Sequence, residues 1–186
     1  MPLFRIYKRG GAYPTLWNQF RYYGPLSRFD HQISNANDEP ITQQLGVLYA
    51  ASDLPTALAE FFQHKRRRIN RHDQSPWLAA FRLPGKIRLL DLTDTFSVRV
   101  GASSKLFTGP FRHTQAWSRG FYAVYPNIQG IYYRSSLTNR PSVVFYERAA
   151  TNQLFPPTTT MHRPLNSPLM LRSISLAAQD IGYRIT

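Results

Sequence analysis

The stretch Gly46-Val-Leu-Tyr-Ala-Ala-Ser-Asp-Leu-Pro-Thr-Ala-Leu-Ala-Glu60 sets a tyrosine and a carboxylate on one strand-turn-helix unit, with Tyr49 eleven residues ahead of Glu60. At about 100° per residue, Leu54, Ala57, Leu58, Phe61 and Phe62 form one apolar arc of the helix. Glu60 falls just outside that arc, beside Ala57. A carboxylate at such a boundary can be partly desolvated while still reaching a cleft, where burial and hydrogen bonds tune its pKa. The alternative is a boundary glutamate with its stem on the core and its head in water, and spacing alone favours that plainer reading.

Three further residues stand in order around this unit: Arg5 in Phe4-Arg5-Ile6, Arg28 in Ser27-Arg28-Phe29, and Ser135 in Gly130-Ile-Tyr-Tyr-Arg-Ser135-Ser136. A guanidinium fork matches phosphate oxygens bidentately and stays charged at any working pH. With 23 Lys plus Arg in the chain, however, a single arginine is by default a solvated surface charge. Tyr49 offers a ring face for stacking and a hydroxyl for hydrogen bonding, or is a strand tyrosine packed in the core. A Ser-Ser pair at a strand end is commonly a turn. Their order is what raises these residues. The series Arg5, Arg28, Tyr49, Glu60, Ser135 resembles the RES domain family. That family's pattern runs from an early arginine through a Gly-Arg-Trp element to Tyr-x-Ala. A helical glutamate follows eleven residues after the tyrosine, and then a late Gly-Ile-x-Tyr-x-Ser before an apolar strand. Here Tyr49 and Glu60 keep that spacing, Ser135 sits five residues after Gly130, and Ser142-Val-Val-Phe-Tyr follows. Ser27-Arg28-Phe29 stands in place of Gly-Arg-Trp, and the stretch from His31 to Leu45 is longer and more polar than the family's link.

The resemblance implies an α+β fold like that of ADP-ribosyltransferases, with a nucleotide cleft between two small sheets and flanking helices. It also implies an NAD-degrading toxin that cleaves the nicotinamide N-glycosidic bond as a glycohydrolase or phosphorylase, through an oxocarbenium-like transition state. In that reading Glu60, Arg28 and Tyr49 are catalytic, and Arg5, Arg28, Tyr49 and Ser135 bind substrate. NAD is then consumed and no cofactor is held, with phosphate as an acceptor alternative to water. The implied partner is a DNA-binding antitoxin covering the cleft, which would bring nucleic acid near only indirectly. Two other functions stand beside this one: an ADP-ribosyltransferase modifying a macromolecule from the same cleft, and a basic nucleic-acid-binding module contacting its ligand through Lys65 to Arg71. Rival carboxylates are few: Glu147 reads as a surface ion pair with Arg148, and Glu39 lies in a polar loop.

Composition narrows the choice. A chain of 186 residues supports one domain spanning 1–186 with a substantial core. The hydrophobic fraction of 42% and mean hydropathy of −0.38 are those of an ordinary soluble protein, whereas 14% aromatic content is rich. Without cysteine there are no disulfides, thiolate metal sites or cysteine nucleophiles. The five histidines lack ligand spacing, so no metal is expected. Walker, G-x-G-x-x-G and G-x-S-x-G motifs are absent. No segment approaches the roughly 20 apolar residues of a membrane span, and Met-Pro-Leu-Phe-Arg-Ile-Tyr-Lys-Arg lacks a signal-peptide core, so cytoplasmic action is expected. The net charge of +13 attracts polyanions: nucleic acid, an acidic protein or a phosphate-bearing substrate.

The elements that must position these residues follow from pattern. Leu3 to Lys8 and Val47 to Ala51 read as strands, with an irregular aromatic stretch through Tyr23-Gly24-Pro25 and a mobile loop over Ser34 to Gln44 between them. Ser52 or Asp53 caps the next helix, which has Pro55 in its first turn and ends in the basic run. Trp77 to Leu83 and Lys86 to Leu92 read as a hairpin about Pro84-Gly85. A short helix is expected around Asp94 to Val100 and an amphipathic one over Arg112 to Val124, then strands at Ile131 to Tyr133 and Ser142 to Tyr146. The Pro/Thr-rich segment Phe155 to Thr160 loops to a capped helix from Ser167 to Asp180, ended by Gly182.

Overall fold

In the computed structural model, which describes residues 1–101, 105–152 and 154–186, strand β1 (Leu3–Lys8) sends Leu3 into one apolar cluster and Phe4 and Ile6 into another on the opposite face. It belongs to an eight-stranded mixed sheet. The other members are β2 (Arg21–Gly24), β3 (Ile41–Ala51), β5 (Pro76–Phe81), β6 (Leu89–Asp91), β7 (Gly130–Arg134), β8 (Pro141–Tyr146) and β9 (Met161–Pro164). The order is β6-β7-β8-β3-β1-β5-β9, with β2 also on β3, while β4 (Arg68–Ile69) and β10 (Arg184–Ile185) form a separate parallel pair. Helices α1 (Leu54–Phe62), α4 (Phe111–Val124) and α5 (Leu171–Ile181) flank the sheet, and α2 (Phe96–Arg99) and α3 (Lys105–Thr108) are single turns. The architecture is the expected α+β.

The join between β1 and β3 decides where a ligand can go. β1 pairs with β5 along its whole length and β3 pairs with β8 from Val47 to Ala51, yet β1 and β3 share one rung, Phe4↔Ala51. Beyond that rung the two halves of the sheet part. The cleft expected between two sheets is therefore a split within one hydrogen-bonded sheet.

α1 forms as the sequence predicts. The Asp53 carboxylate accepts the Thr56 N–H at 2.8 Å, and Ala57, Leu58 and Phe62 pack against Met170, Ile174, Ala177 and Ala178 at α5. The helix stops at Phe62, before the basic run rather than within it. Arg66 and Arg67 adopt left-handed φ values of 51° and 60°, which turn the chain so that Ile69 enters the core beside Ile185. Burying one isoleucine thus overrides helical continuation. The C-terminal helix ends as expected, at Gly182 with φ 68°.

Other expectations are corrected. The supposed loop is strand from Ile41 onward, a half-exposed extension that β2 covers, and its polar residues alternate because one side faces water. β5 and β6 are not a hairpin: β5 lies between β1 and β9, and β6 pairs in parallel with β7 at the far edge. The link between them carries Leu83 and Ile87 across the sheet face that holds Phe81 and Phe145. β9 is not among the expected strands: its residues are mostly exposed and carry no apolar alternation. Gly130 is required where it stands, since a Cβ there would meet the Val144 carbonyl oxygen at 2.1 Å.

Glu147 is no simple surface pair. Its carboxylate accepts hydrogen bonds from His31 Nε2 at 3.0 Å, from the Gly46 N–H at 2.9 Å and from the Tyr122 hydroxyl, while the Arg148 guanidinium lies 3.5 Å over the Tyr122 ring. Burial would raise its pKa, but these bonds and the His31 charge outweigh burial and bring it down to about 2. A folded pKa below the ordinary 4.5 gives stability that is complete above that pH and lost as pH falls towards 2. Glu147→Gln is expected to lose about 2 kcal/mol at neutral pH and to show a flatter decline in melting temperature between pH 5 and pH 2 than the parent, with pH limits roughly those of the linkage window. Parallel profiles for the two proteins would remove the clamp from the account.

Candidate active site

A cavity of about 330 Å³ occupies the split between β1 and β3. Its walls are Phe4 to Lys8 of β1, Tyr49 to Ala51 of β3, Glu60 and neighbours on α1, and the Leu26–Arg28 loop with Phe111 opposite. Arg5, Arg28, Tyr49 and Glu60 all line it. Ser135 does not: it is 2% exposed and stands behind Glu60, with Ser136 on the cavity wall.

The Ser135 hydroxyl donates to Glu60 Oε1 at 2.6 Å and accepts the Leu137 N–H at 3.1 Å. Its single proton is thereby aimed at the carboxylate, and Ser135 acts as the residue that orients Glu60. Among the described residues Oε2 has no hydrogen-bond partner, so it is available to a ligand. Burial raises the Glu60 pKa above 4.5, opposed by the Ser135 bond and by the Arg28 charge. Among the described residues, Glu60 is the one acidic side chain lining a cavity whose other charged groups are basic.

Arg5 projects from β1 into the split, where Nη2 donates to the Gln19 carbonyl at 3.1 Å and the buried Nε has no partner. Burial, helped by the neighbouring Arg21 charge, brings its pKa down to about 10. Arg28 donates to the Gly109 carbonyl at 2.8 Å and lies 4.8 Å over the Phe111 ring; burial lowers its pKa while Glu60 holds it up. Among the described residues neither arginine has a carboxylate within ion-pair distance. Two part-buried guanidinium groups on facing parts of the cavity, neither in a salt bridge among the described residues, form a site for an anion.

What holds Arg28 and Tyr49 in place was not predicted. Asp30 is wholly buried; its Oδ2 accepts from Arg21 Nη2 at 2.7 Å, the Leu26 N–H at 2.6 Å and the Ser27 N–H at 2.8 Å, and its Oδ1 accepts from the Tyr49 hydroxyl at 2.8 Å. That hydroxyl also accepts the Phe29 N–H at 3.1 Å, so the ring is what Tyr49 presents to the cavity. Burial, with the Asp30 charge, raises the Tyr49 pKa well above 10.0 and keeps the phenol neutral. From outside, α4 grips the same loop: Gln115 donates to the Ser27 carbonyl at 3.1 Å, and Ser118 donates to the Phe29 carbonyl at 2.8 Å. The buried face of α4 is polar because it packs against backbone carbonyls of a loop. A scarce acidic residue two positions past Arg28, in a chain with only 10 Asp plus Glu, was the available signal for Asp30.

A model of the RES domain matches residues 2–166. The chain belongs to the RES domain family. Among solved structures, this RES-domain chain is similar to one in the crystal structure of the M. tuberculosis MbcT–MbcA toxin–antitoxin complex, with a TM-score of 0.59 and 14% identity over 92% of this chain and 87% of that one. At that identity the likeness is one of fold. No curated protein matches the chain. Among the described residues no helix is long and apolar enough to cross a membrane, and no group of histidines and carboxylates is placed to hold a metal.

Proposed function

We propose that this RES-domain protein is the toxin of a toxin–antitoxin pair and that it breaks the bond between nicotinamide and ribose in NAD, passing the ADP-ribosyl group to water or phosphate. The observation that carries the reading is the Glu60 carboxylate, the one acidic side chain among the described residues lining the cavity, oriented by Ser135 among basic and aromatic walls. As nicotinamide leaves with the bonding electron pair, the ribose C1′ takes on oxocarbenium character. A carboxylate at that carbon stabilises the cation and orients the attacking oxygen. Arg5 and Arg28 suit the pyrophosphate, and the Tyr49 ring suits the face of the nicotinamide.

Family membership and a structural neighbour taken from a toxin–antitoxin complex support the toxin reading. Depletion of NAD would arrest growth in the cytoplasm, and a cognate antitoxin would cover the cleft. A net charge of +13 suits an acidic covering surface. Incubated with NAD, with and without phosphate, the purified protein is expected to release nicotinamide over time. NAD left intact under both conditions would overturn the reading, and label from NAD transferred to a macromolecule would assign ADP-ribosylation in its place.

A further inference from the structure

Tyr13 is the most exposed large hydrophobic residue among those described, at 87%, yet it is one of the residues lining the same cavity as Glu60. It sits on a loop pinned at both stems. The Arg9 and Gly10 N–H groups donate to the Ser75 and Gln74 carbonyls, each at 3.0 Å, and the Thr15 N–H returns to the Lys8 carbonyl at 2.8 Å. Gly11, at φ 85°, makes the turn that raises the tip. A phenol ring held in water by an anchored loop forgoes the burial that aromatic side chains normally gain, and keeps a face free.

The cavity is also ordered end to end. Glu60 stands over the end of the sheet where Phe4 meets Ala51: its partner Ser135 follows the rungs Tyr133↔Ser142 and Arg134↔Pro141, and Ser142 pairs with Ala51. Lys8 ends β1 four residues further on, about 13 Å away at a strand's rise per residue. Arg5 follows Phe4 on the way to that end, and Lys8, Tyr13 and Thr15 line the cavity there, where the Thr15 N–H returns to the Lys8 carbonyl; we call this end the mouth. Carboxylate, cationic middle and exposed aromatic mouth follow in the sequence of nicotinamide riboside, pyrophosphate and second nucleoside.

We propose that the mouth is the subsite for the second nucleoside of the dinucleotide, with the Tyr13 ring stacking on its purine base, which makes Tyr13 a specificity-determining residue. The assignment rests on the reading of the cavity as an NAD site. Binding energy gathered at the mouth, remote from the bond that breaks, would hold the nicotinamide end against Glu60.

The test measures the Kd for ADP-ribose, which contains the purine end and cannot react further, beside KM and kcat for NAD. Tyr13→Ala is expected to weaken ADP-ribose binding about five-fold or more, the size of one base–aromatic stack, and to raise the KM for NAD similarly with a much smaller change in kcat. Tyr13→Phe should match the parent, since the ring carries the contact. Unchanged ADP-ribose binding in Tyr13→Ala, or a Tyr13→Phe protein as weak as Tyr13→Ala, would overturn the assignment. A parent that binds ADP-ribose through Tyr13 but leaves NAD intact would sink the glycosidic reaction and uphold the base subsite, so the two failures are distinct. Because Tyr13 is exposed, equal melting temperatures are expected for all three proteins.

Discussion

Glu60→Gln is expected to lower nicotinamide release from NAD by roughly 10³-fold, the usual scale for removing a charged group that acts on the transition state, with little change in KM. The substitution keeps size and the bond from Ser135 and removes the negative charge alone. Its effect on stability should have the opposite sign. Burial raises the Glu60 pKa, so the folded state is less stable with the carboxylate ionised than with it neutral. At pH 7 the glutamine protein should therefore melt at the same temperature as the parent or higher. The same shift sets the acid limb of activity. Ionised Glu60 is required, so turnover should fall as pH drops through a value above the ordinary 4.5. Turnover by Glu60→Gln within ten-fold of the parent would remove the carboxylate from the mechanism, with ten-fold the threshold for about 1.4 kcal/mol of lost transition-state stabilisation.

The second large effect is structural. Asp30→Ala should destabilise the fold by about 3–5 kcal/mol, because it strands a partly buried Arg21, the Tyr49 hydroxyl and two backbone N–H groups together. Asp30→Asn should lose less, since the amide oxygen can still accept one or two of those bonds. Denaturant titration of the three proteins reads the effect, and a loss under about 1 kcal/mol for the alanine protein would mean that water replaces the carboxylate without penalty. In the asparagine protein, which should remain folded, the loop carrying Arg28 loses its charged anchor. Its KM for NAD should then rise together with the loss of stability.

Much of this is legible in the sequence itself. The Asp53 cap with Pro55, the apolar arc of α1, the stop at Gly182 and the strands at Leu3–Lys8 and Pro141–Tyr146 all depend on residues close in sequence, and local patterns report them. The order Arg5, Arg28, Tyr49, Glu60, Ser135 was enough to point to the RES family, whose model covers residues 2–166. Misreadings gathered where local pattern carries no information. β9 is exposed along most of its length, the extension of β3 is half polar, and the hairpin suggested by Pro84-Gly85 depends on a pairing that two distant strands claim first.

The site itself divides in the same way. Residue types and spacing determined that a carboxylate, two arginines, a tyrosine and a serine were present in family order. They could not determine that Ser135 serves Glu60 across 75 positions, that Asp30 ties Tyr49 to the Arg28 loop, or that Glu147 binds His31 across 116 positions. Tertiary structure alone decided that β1 and β3 meet at one rung and then part, opening the cavity onto Arg5, whose Nε is buried without a partner. The physical reason is that periodicity and capping record each residue's own burial and backbone conformation. A hydrogen bond between distant side chains, or a gap in a sheet, exists only once the whole chain has packed.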